Sequence, residues 1–376
     1  MLLSEDHLAV QDAVRQYVQA EIAPHAAAWD KSHQFPAAQL KGLAALGCYG
    51  VAVPTEWDGA GLDYLALAVI LEEIGAGDGA TSTVVSVNNC PVCSILTAFG
   101  NDDQKQRFLK PLARGDLLGA FCLTEPHVGS EAGGLKTTAV LDGDHYVLNG
   151  VKQFITSGKN GDVAIVMAVT DKAAGKRGIS AFLVPTTTPG YQVARVEDKM
   201  GQHASDTAQI VFEQCRVPVE NRLGDEGQGL KIALSGLVGG RIGIASQSLG
   251  MARAAFDCAL AYSKQRKAFG VAIFEHQAIG FKLAEMAMKI EAARQLIWHA
   301  ACLKDAGRPC LKEAAMAKLM ASEMAEAVCS GAIQVLGGYG YLSDFPVERI
   351  YRDVRVCQIY EGTSEVQKIL IGRALG

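Results

Sequence analysis

Thr137-Thr-Ala-Val-Leu-Asp-Gly-Asp-His-Tyr-Val-Leu148 reads as a β-hairpin. Two β-forming runs, Thr137–Leu141 and His145–Leu148, flank Asp142-Gly143-Asp144, where Asp-Gly supplies the turn. Further β-rich runs follow at Val163–Val169, Ile179–Val184, Tyr191–Val196 and Ala208–Phe212, separated by Gly, Pro or Asp. There is little room between them for crossover helices. Residues 119–225 are therefore expected to form a mainly antiparallel barrel or sandwich.

Outward from this segment the periodicity changes. In residues 1–118, Ser4 is a plausible N-cap, and Val10, Val14, Tyr17 and Val18 share one helical face. Helices are also expected over Ala37–Leu46, ending at Gly47, and over Leu62–Ile74, ending in Gly75-Ala-Gly-Asp-Gly79. That glycine stretch superficially matches a dinucleotide fingerprint, but it follows a helical pattern where the fingerprint needs a strand. In residues 226–376, Ile279, Leu283, Met286, Ile290, Ala293 and Ile297 form one apolar stripe, opposite Lys282, Glu285, Lys289 and Gln295. The fold class is α+β multidomain: an N-terminal helical domain (1–118), a central antiparallel β-barrel or sandwich (119–225) and a C-terminal four-helix bundle (226–376).

Composition narrows the function. The formal charge of −5 and the lack of a Lys/Arg cluster argue against a nucleic-acid surface. Of ten cysteines only Cys90 and Cys93 form a C-x-x-C pair, and a zinc ribbon needs a second pair, so no metal site is expected and the thiols read as buried and reduced. The Met1-Leu-Leu-Ser-Glu-Asp-His start has no basic or Arg-rich leader, and no apolar run reads as long enough to span a bilayer. The expected setting is the bacterial cytoplasm or, after processing, a mitochondrial matrix.

Five segments carry chemistry, in chain order: Phe121-Cys-Leu-Thr-Glu-Pro-His-Val-Gly-Ser130, Lys152-Gln-Phe-Ile-Thr-Ser-Gly158, Arg266-Lys-Ala-Phe-Gly270, Gln334-Val-Leu-Gly-Gly-Tyr-Gly340 and Ile359-Tyr-Glu-Gly-Thr-Ser-Glu365. In the last, a Glu on a tight turn at a helix end, with backbone N–H groups beside it, suits a general base next to a polarised carbonyl. Alone, Glu361 before a glycine reads as solvated, Gly129-Ser130 as a capped turn, the Phe154–Thr156 strand as core, and Arg266 as surface. Together and in this order the five resemble the acyl-CoA dehydrogenase family over essentially the whole chain, most nearly its short-chain (butyryl-CoA type) members.

That resemblance implies FAD and an α,β-dehydrogenation of a short- or medium-chain acyl-CoA, straight or branched, to trans-2-enoyl-CoA, as in fatty acid β-oxidation. Glu361 would be the base and flavin N5 the hydride acceptor, with the Glu361 N–H and a ribityl hydroxyl stabilising the thioester oxygen. Phe121, Leu123, Thr124, Gly129, Ser130, Phe154, Ile155 and Thr156 match the flavin-lining segments, although many relatives have Trp at the Phe154 position. Arg266, Phe269, Gln277, Gln334, Gly337 and Gly338 match a pyrophosphate and adenine site shared between subunits, and Thr363 and Glu365 match further cofactor contacts. Ser130, Arg241, Tyr360 and Gly362 match substrate contacts; Val238 stands where many relatives have an Asp that touches CoA. Arg241 reads as lying at the start of the first bundle helix. Residues 82–100, the family's acyl-pocket segment, contain no Lys, Arg or His, which argues against an ω-acidic acyl group. The implied partners are electron-transfer flavoprotein and three further copies of the chain, a dimer of dimers. An O₂-reducing acyl-CoA oxidase and a non-catalytic flavin-binding scaffold are the rival functions.

Overall fold

The computed structural model describes residues 2–376. Helices occupy the chain up to Arg114, strands fill Gly119–Leu223, and helices return from Gly229 onward. The strands are β1 Gly119–Cys122, β2 Thr138–Asp142, β3 His145–Thr156, β4 Val163–Val169, β5 Ile179–Pro185, β6 Tyr191–Val196, β7 Thr207–Pro218 and β8 Arg222–Leu223. They form one sheet in the order β6-β7-β3-β2-β4-β5-β8, with β1 added parallel to β4. The expected hairpin is β2–β3, with Asp142 opposite His145. β1 and β8 are too short to signal themselves in sequence.

The continuous apolar run of β4 follows from its position. Ala164, Val166 and Ala168 pack on the inner face with Tyr146, Phe182 and Phe212. Val163, Ile165 and Met167 pack on the outer face against Leu109, Leu112 and Ile232 of the flanking helices. A strand covered on both sides cannot alternate with polar residues.

The bundle is built on three long helices, Gly229–Gln265, Gln277–Asp305 and Leu311–Leu336, with the shorter Val347–Val354 and Ser364–Arg373 against them. The stripe at Leu283, Met286, Ile290, Ala293 and Ile297 is buried in this core. N-terminal helix Glu5–Tyr17 is capped by Ser4 as expected. The helix expected over Leu62–Ile74 runs from Tyr64 to Gly77, because the Asp63 side chain accepts from Ala66 N at 2.7 Å and caps it. Asp78 then caps the next helix, Gly79–Val87, so no strand precedes the glycine stretch.

One expectation fails. Gly79–Phe99 is long and apolar enough to cross a membrane by length and composition, contrary to the sequence reading. Its apolar stretch is 78% buried within the protein, and the backbone leaves helical geometry at Cys90 (φ −138°, ψ 116°). Its apolarity is that of a central helix packed on all sides.

Buried charges pin the layers together. Glu72 and Glu73 receive Arg294 at 2.9 Å and Arg15 at 2.8 Å, which joins the N-terminal helices to the bundle. In the β domain the fully buried Lys152 pairs with Glu125 at 2.9 Å, and Glu125 also accepts the backbone N–H groups of Lys136 and Thr137. This pair anchors the Phe121–Ser130 loop to β3. Removing one partner strands a buried charge. Lys152→Met should therefore destabilise the fold by about 3 kcal/mol in urea unfolding, whereas a loss under about 1 kcal/mol would show that the pair does not anchor the loop.

Candidate active site

Glu361 occupies the turn between the short Arg355–Gln358 coil of helix and the Ser364–Arg373 helix. Its φ is +52° and that of Gly362 is +94°. Left-handed backbone is uncommon for a residue with a side chain and persists only where neighbours hold it. Here it aims the carboxylate at the Gly229–Gln265 helix. A Cβ on Gly240 would lie 1.9 Å from Glu361 Oε2, so only glycine lets the acid seat there.

The seat is dry. Glu361 Oε2 is buried and has no hydrogen-bond partner. Burial pushes the carboxyl up from the ordinary 4.5 to about 7, against the opposing charges of Arg241 and Lys318. Among the described residues no acceptor takes the Glu361 backbone N–H, which remains available to a ligand. A carboxylate that titrates near neutrality beside a free N–H can remove a proton and polarise a carbonyl within one ligand.

Arg241 is not at the start of its helix but well inside Gly229–Gln265, and it is 5% exposed. Burial lowers its guanidinium while Glu361 opposes that, and its Nε has no partner. Val238, three residues earlier, packs against the bundle core. The Tyr360 hydroxyl donates to Gln247 Oε1 at 2.8 Å and so points into the protein. Thr363 caps the final helix, its hydroxyl accepting from Val366 N, and Glu365 is exposed in the first turn.

The remaining predicted residues fall into two groups. In the β domain, Phe121 is half-buried, Leu123 and Ile155 are buried, and Thr124 and Thr156 are partly exposed. Gly129 and Ser130 are exposed, with open space beside Gly129. Phe154 is 63% exposed and held at φ +60°, where the β3–β7 register breaks between Lys152 and Ile155. A phenyl ring held outward in left-handed backbone makes a flat apolar platform. The second group lies in a cleft of about 600 Å³, where Arg266, Gly337 and Gly338 meet Tyr262, Val335 and Leu342. Nothing lies within 4 Å of where a side chain on Gly337 or Gly338 would begin. Gln334, Phe269 and Gln277 stand exposed on the flanking elements and do not line it; Phe269 is 96% exposed. The cleft contains none of the β-domain group.

A second cavity, of about 350 Å³, is lined by Asn89, Cys90, Ser94, Thr97 and Ala98 of the expected acyl-pocket segment. Cys90 Sγ lies against Gly239, next to the seat of Glu361. Lys304 also lines it, with Nζ 4.4 Å from the Tyr64 ring centre. The cation missing from residues 82–100 is thus supplied by another helix, and the segment alone does not decide the cavity's charge. Cys90 and Cys93 are both buried and unbridged. The His33–Asp198–His203 cluster has metal-like spacing. Both His203 ring nitrogens, however, already face oxygens of Asp30 and Lys199.

Known proteins match this chain along its whole length. Models of the acyl-CoA dehydrogenase N-terminal, middle and C-terminal domains match residues 4–116, 120–215 and 227–376. The chain belongs to the acyl-CoA dehydrogenase family. It is 49% identical to the mitochondrial short-chain specific acyl-CoA dehydrogenase of Rattus norvegicus over 98% of this chain and 90% of that one. Butyryl-CoA dehydrogenase of Megasphaera elsdenii superposes with a TM-score of 0.97 at 42% identity, over 100% of this chain and 99% of that one. A chain from the study of the electron transferring flavoprotein of Acidaminococcus fermentans and flavin-based electron bifurcation gives 0.98 at 45%, again over 100% and 99%. Like its family, this member is a flavin-dependent oxidoreductase.

Sequence reasoning missed Gly240, Lys318 and Gln367. The Gly239-Gly-Arg241 run was a signal for close approach; a lysine in an alanine-rich helix gives none. The raised carboxyl has a measurable consequence. An acid whose folded pKa is about 7 and unfolded pKa 4.5 holds its proton longer in the fold. The folded state therefore loses stability as pH rises between these values, and the loss is constant above them. Glu361→Gln should be more stable than the wild type by about 2–3 kcal/mol above pH 7, with the gap closing below pH 4.5. Urea unfolding at both ends checks this, and a pH-independent gap would contradict it.

Proposed function

We propose that this chain is an FAD-dependent acyl-CoA dehydrogenase for short acyl-CoA thioesters, with Glu361 as the base. The observation that carries the reading is the Glu361 carboxylate, seated on Gly240 with a buried, unpartnered Oε2 and titrating near neutrality. The short-chain and butyryl-CoA names of its relatives support the substrate class.

The residues present suit the cofactor. The outward Phe154 ring fits a flat ring system, with Leu123, Thr124 and Thr156 at hand for its polar edge. Arg266 and the open Gly337-Gly338 backbone suit a pyrophosphate, through paired guanidinium donors and close main-chain approach. Because these two groups do not share one cleft, we assign the second to the cofactor of a neighbouring subunit. Phe281 and Met288, each 62% exposed on the Gln277–Asp305 helix, give such a neighbour an apolar face. A tetramer built as paired dimers is the assembly proposed. The Acidaminococcus neighbour supports an electron-transferring flavoprotein as the partner that takes the electrons.

In this reading the Glu361 carboxylate takes the proton from C2 of the acyl group. FAD, when bound, supplies the acceptor for the hydride leaving C3. The C2–H bond is too weakly acidic for a carboxylate alone. The Glu361 N–H would bond the thioester oxygen as charge develops there, and one such donor in a dry site contributes about 3–4 kcal/mol. The buried Arg241 and Lys318 add positive potential at the same place. The product is the trans-2-enoyl thioester.

The test is anaerobic addition of butyryl-CoA to the FAD-loaded protein. The wild type should bleach. Glu361→Gln should keep its yellow cofactor and bind butyryl-CoA, yet bleach at least about 1,000-fold more slowly, as expected when the proton acceptor is removed. Substantial bleaching by this variant removes Glu361 from the role. No bleaching of the wild type by a panel of acyl-CoAs favours a scaffold, and stoichiometric peroxide in air favours an oxidase.

A further inference from the structure

We propose that Lys318, together with Gln367, is a positioning residue for Glu361: the two side chains grip the carbonyls of the Glu361–Gly362 turn, and the lysine sets a positive charge beneath the base. The inference rests on Glu361 being the proton acceptor.

Lys318 belongs to the Leu311–Leu336 helix and is fully buried. A buried ammonium is costly unless it is paired or hydrogen-bonded. Among the described residues no carboxylate lies within ion-pairing distance; its hydrogen bond goes to Gly362 O, at 2.8 Å. A lysine serving only the core would be replaced without loss by an apolar residue. This one places its charge on the backbone of the turn that carries the base.

Gln367 meets the same turn from the other side. It is fully buried on the Ser364–Arg373 helix, and its Nε2 donates to Gly362 O at 2.8 Å and to Glu361 O at 3.3 Å. Two successive peptide planes are thus fixed by donors from two helices, and these planes define the left-handed torsions of Glu361 and Gly362. A Cβ on Gly362 would lie 2.8 Å from Gln367 Nε2, so the grip requires glycine. If Glu361 relaxed to right-handed or extended backbone, its side chain would leave the seat on Gly240.

The charge has a separate effect. Arg241 from the Gly229–Gln265 helix and Lys318 from the Leu311–Leu336 helix both oppose the upward push of burial on Glu361. Cys90 faces it from the Gly79–Phe99 segment, and its thiol is also raised by burial. Cys357 and Glu365, on the chain around the turn, face Lys318. Burial lowers the Lys318 ammonium to about 8, partly offset by Cys357 and Glu361, so it carries its charge at neutral pH. Loss of that charge moves the Glu361 titration to higher pH.

The experiment follows flavin reduction by butyryl-CoA against pH in the FAD-loaded wild type, Lys318→Met, Lys318→Arg and Glu361→Gln, with thermal unfolding of each. Lys318→Met should lower the plateau rate about 10-fold or more, leave the KM within about 3-fold, and move the pH midpoint up by about one unit. Lys318→Arg should restore part of the rate and the midpoint. An infrared titration of the protonated Glu361 band should move in the same direction without any turnover. A folded Lys318→Met with the wild-type rate and midpoint overturns the proposal, as does a slower variant with an unmoved midpoint that arginine does not rescue. If Lys318→Met does not fold, Gln367→Leu takes its place: it should slow reduction with little change in midpoint, and an unchanged rate overturns the grip. An inactive wild type, or an active Glu361→Gln, instead overturns the reading of Glu361 itself.

Discussion

One carboxylate is seated with an oxygen buried against Gly240 to which nothing donates. Burial raises the free energy of its charged form, and the local structure reads as the set of conditions that keep it there. The long helix must be bare at Gly240, because any Cβ would occupy the acid's place. The turn must hold a left-handed residue, because only that conformation aims the side chain inward. Two buried cations, Arg241 and Lys318, stand close enough to temper the burial without forming a direct pair with the carboxylate. A paired carboxylate would be more stable but a weaker proton acceptor.

The Glu361 turn is also tied to all three parts of the chain. Tyr360, beside it, donates to Gln247, whose Nε2 donates to Gly79 O at 2.7 Å. Thr83 donates to Gln202 of the β domain at 2.6 Å, and Gln202 Nε2 donates to Asp353 O at 3.1 Å. Asp353, raised to about 7 by burial, faces Arg349, which also faces Asp78. This buried polar chain crosses from the N-terminal helices through a β-domain loop to the bundle. Buried polar groups are stable only when satisfied, so the network ties the relative placement of the layers to the position of the Glu361 turn.

The sequence made the layout legible because each layer has its own period. The alternation in Thr137–Leu148 and the three-four stripe from Ile279 to Ile297 both stand where they were expected. The Gly79–Phe99 segment was misjudged because Ser, Thr, Asn and Pro interrupt its apolar residues, although its composition as a whole is apolar enough to span. Arg241 was misplaced along its helix because the helix begins at Gly229, ten residues before the glycine-rich run at Gly239 that suggests its start. At the site, the turn that holds Glu361 was legible from its Gly-Thr-Ser neighbourhood. Lys318 and Gln367 were not: their meaning comes from carbonyls more than forty residues away for one and from a turn folding back for the other. Lys304 beside the Cys90 cavity was hidden for the same reason, since a cavity wall is assembled from distant elements.

Proton removal can be separated from hydride transfer. With 3,3-dimethylbutyryl-CoA, the carbon next to C2 has no hydrogen to lose, so only exchange at C2 can occur. In D₂O the FAD-loaded wild type should wash deuterium into C2, followed by mass spectrometry, and Glu361→Gln should not. Equal exchange in both proteins would contradict Glu361 as the group that takes the proton.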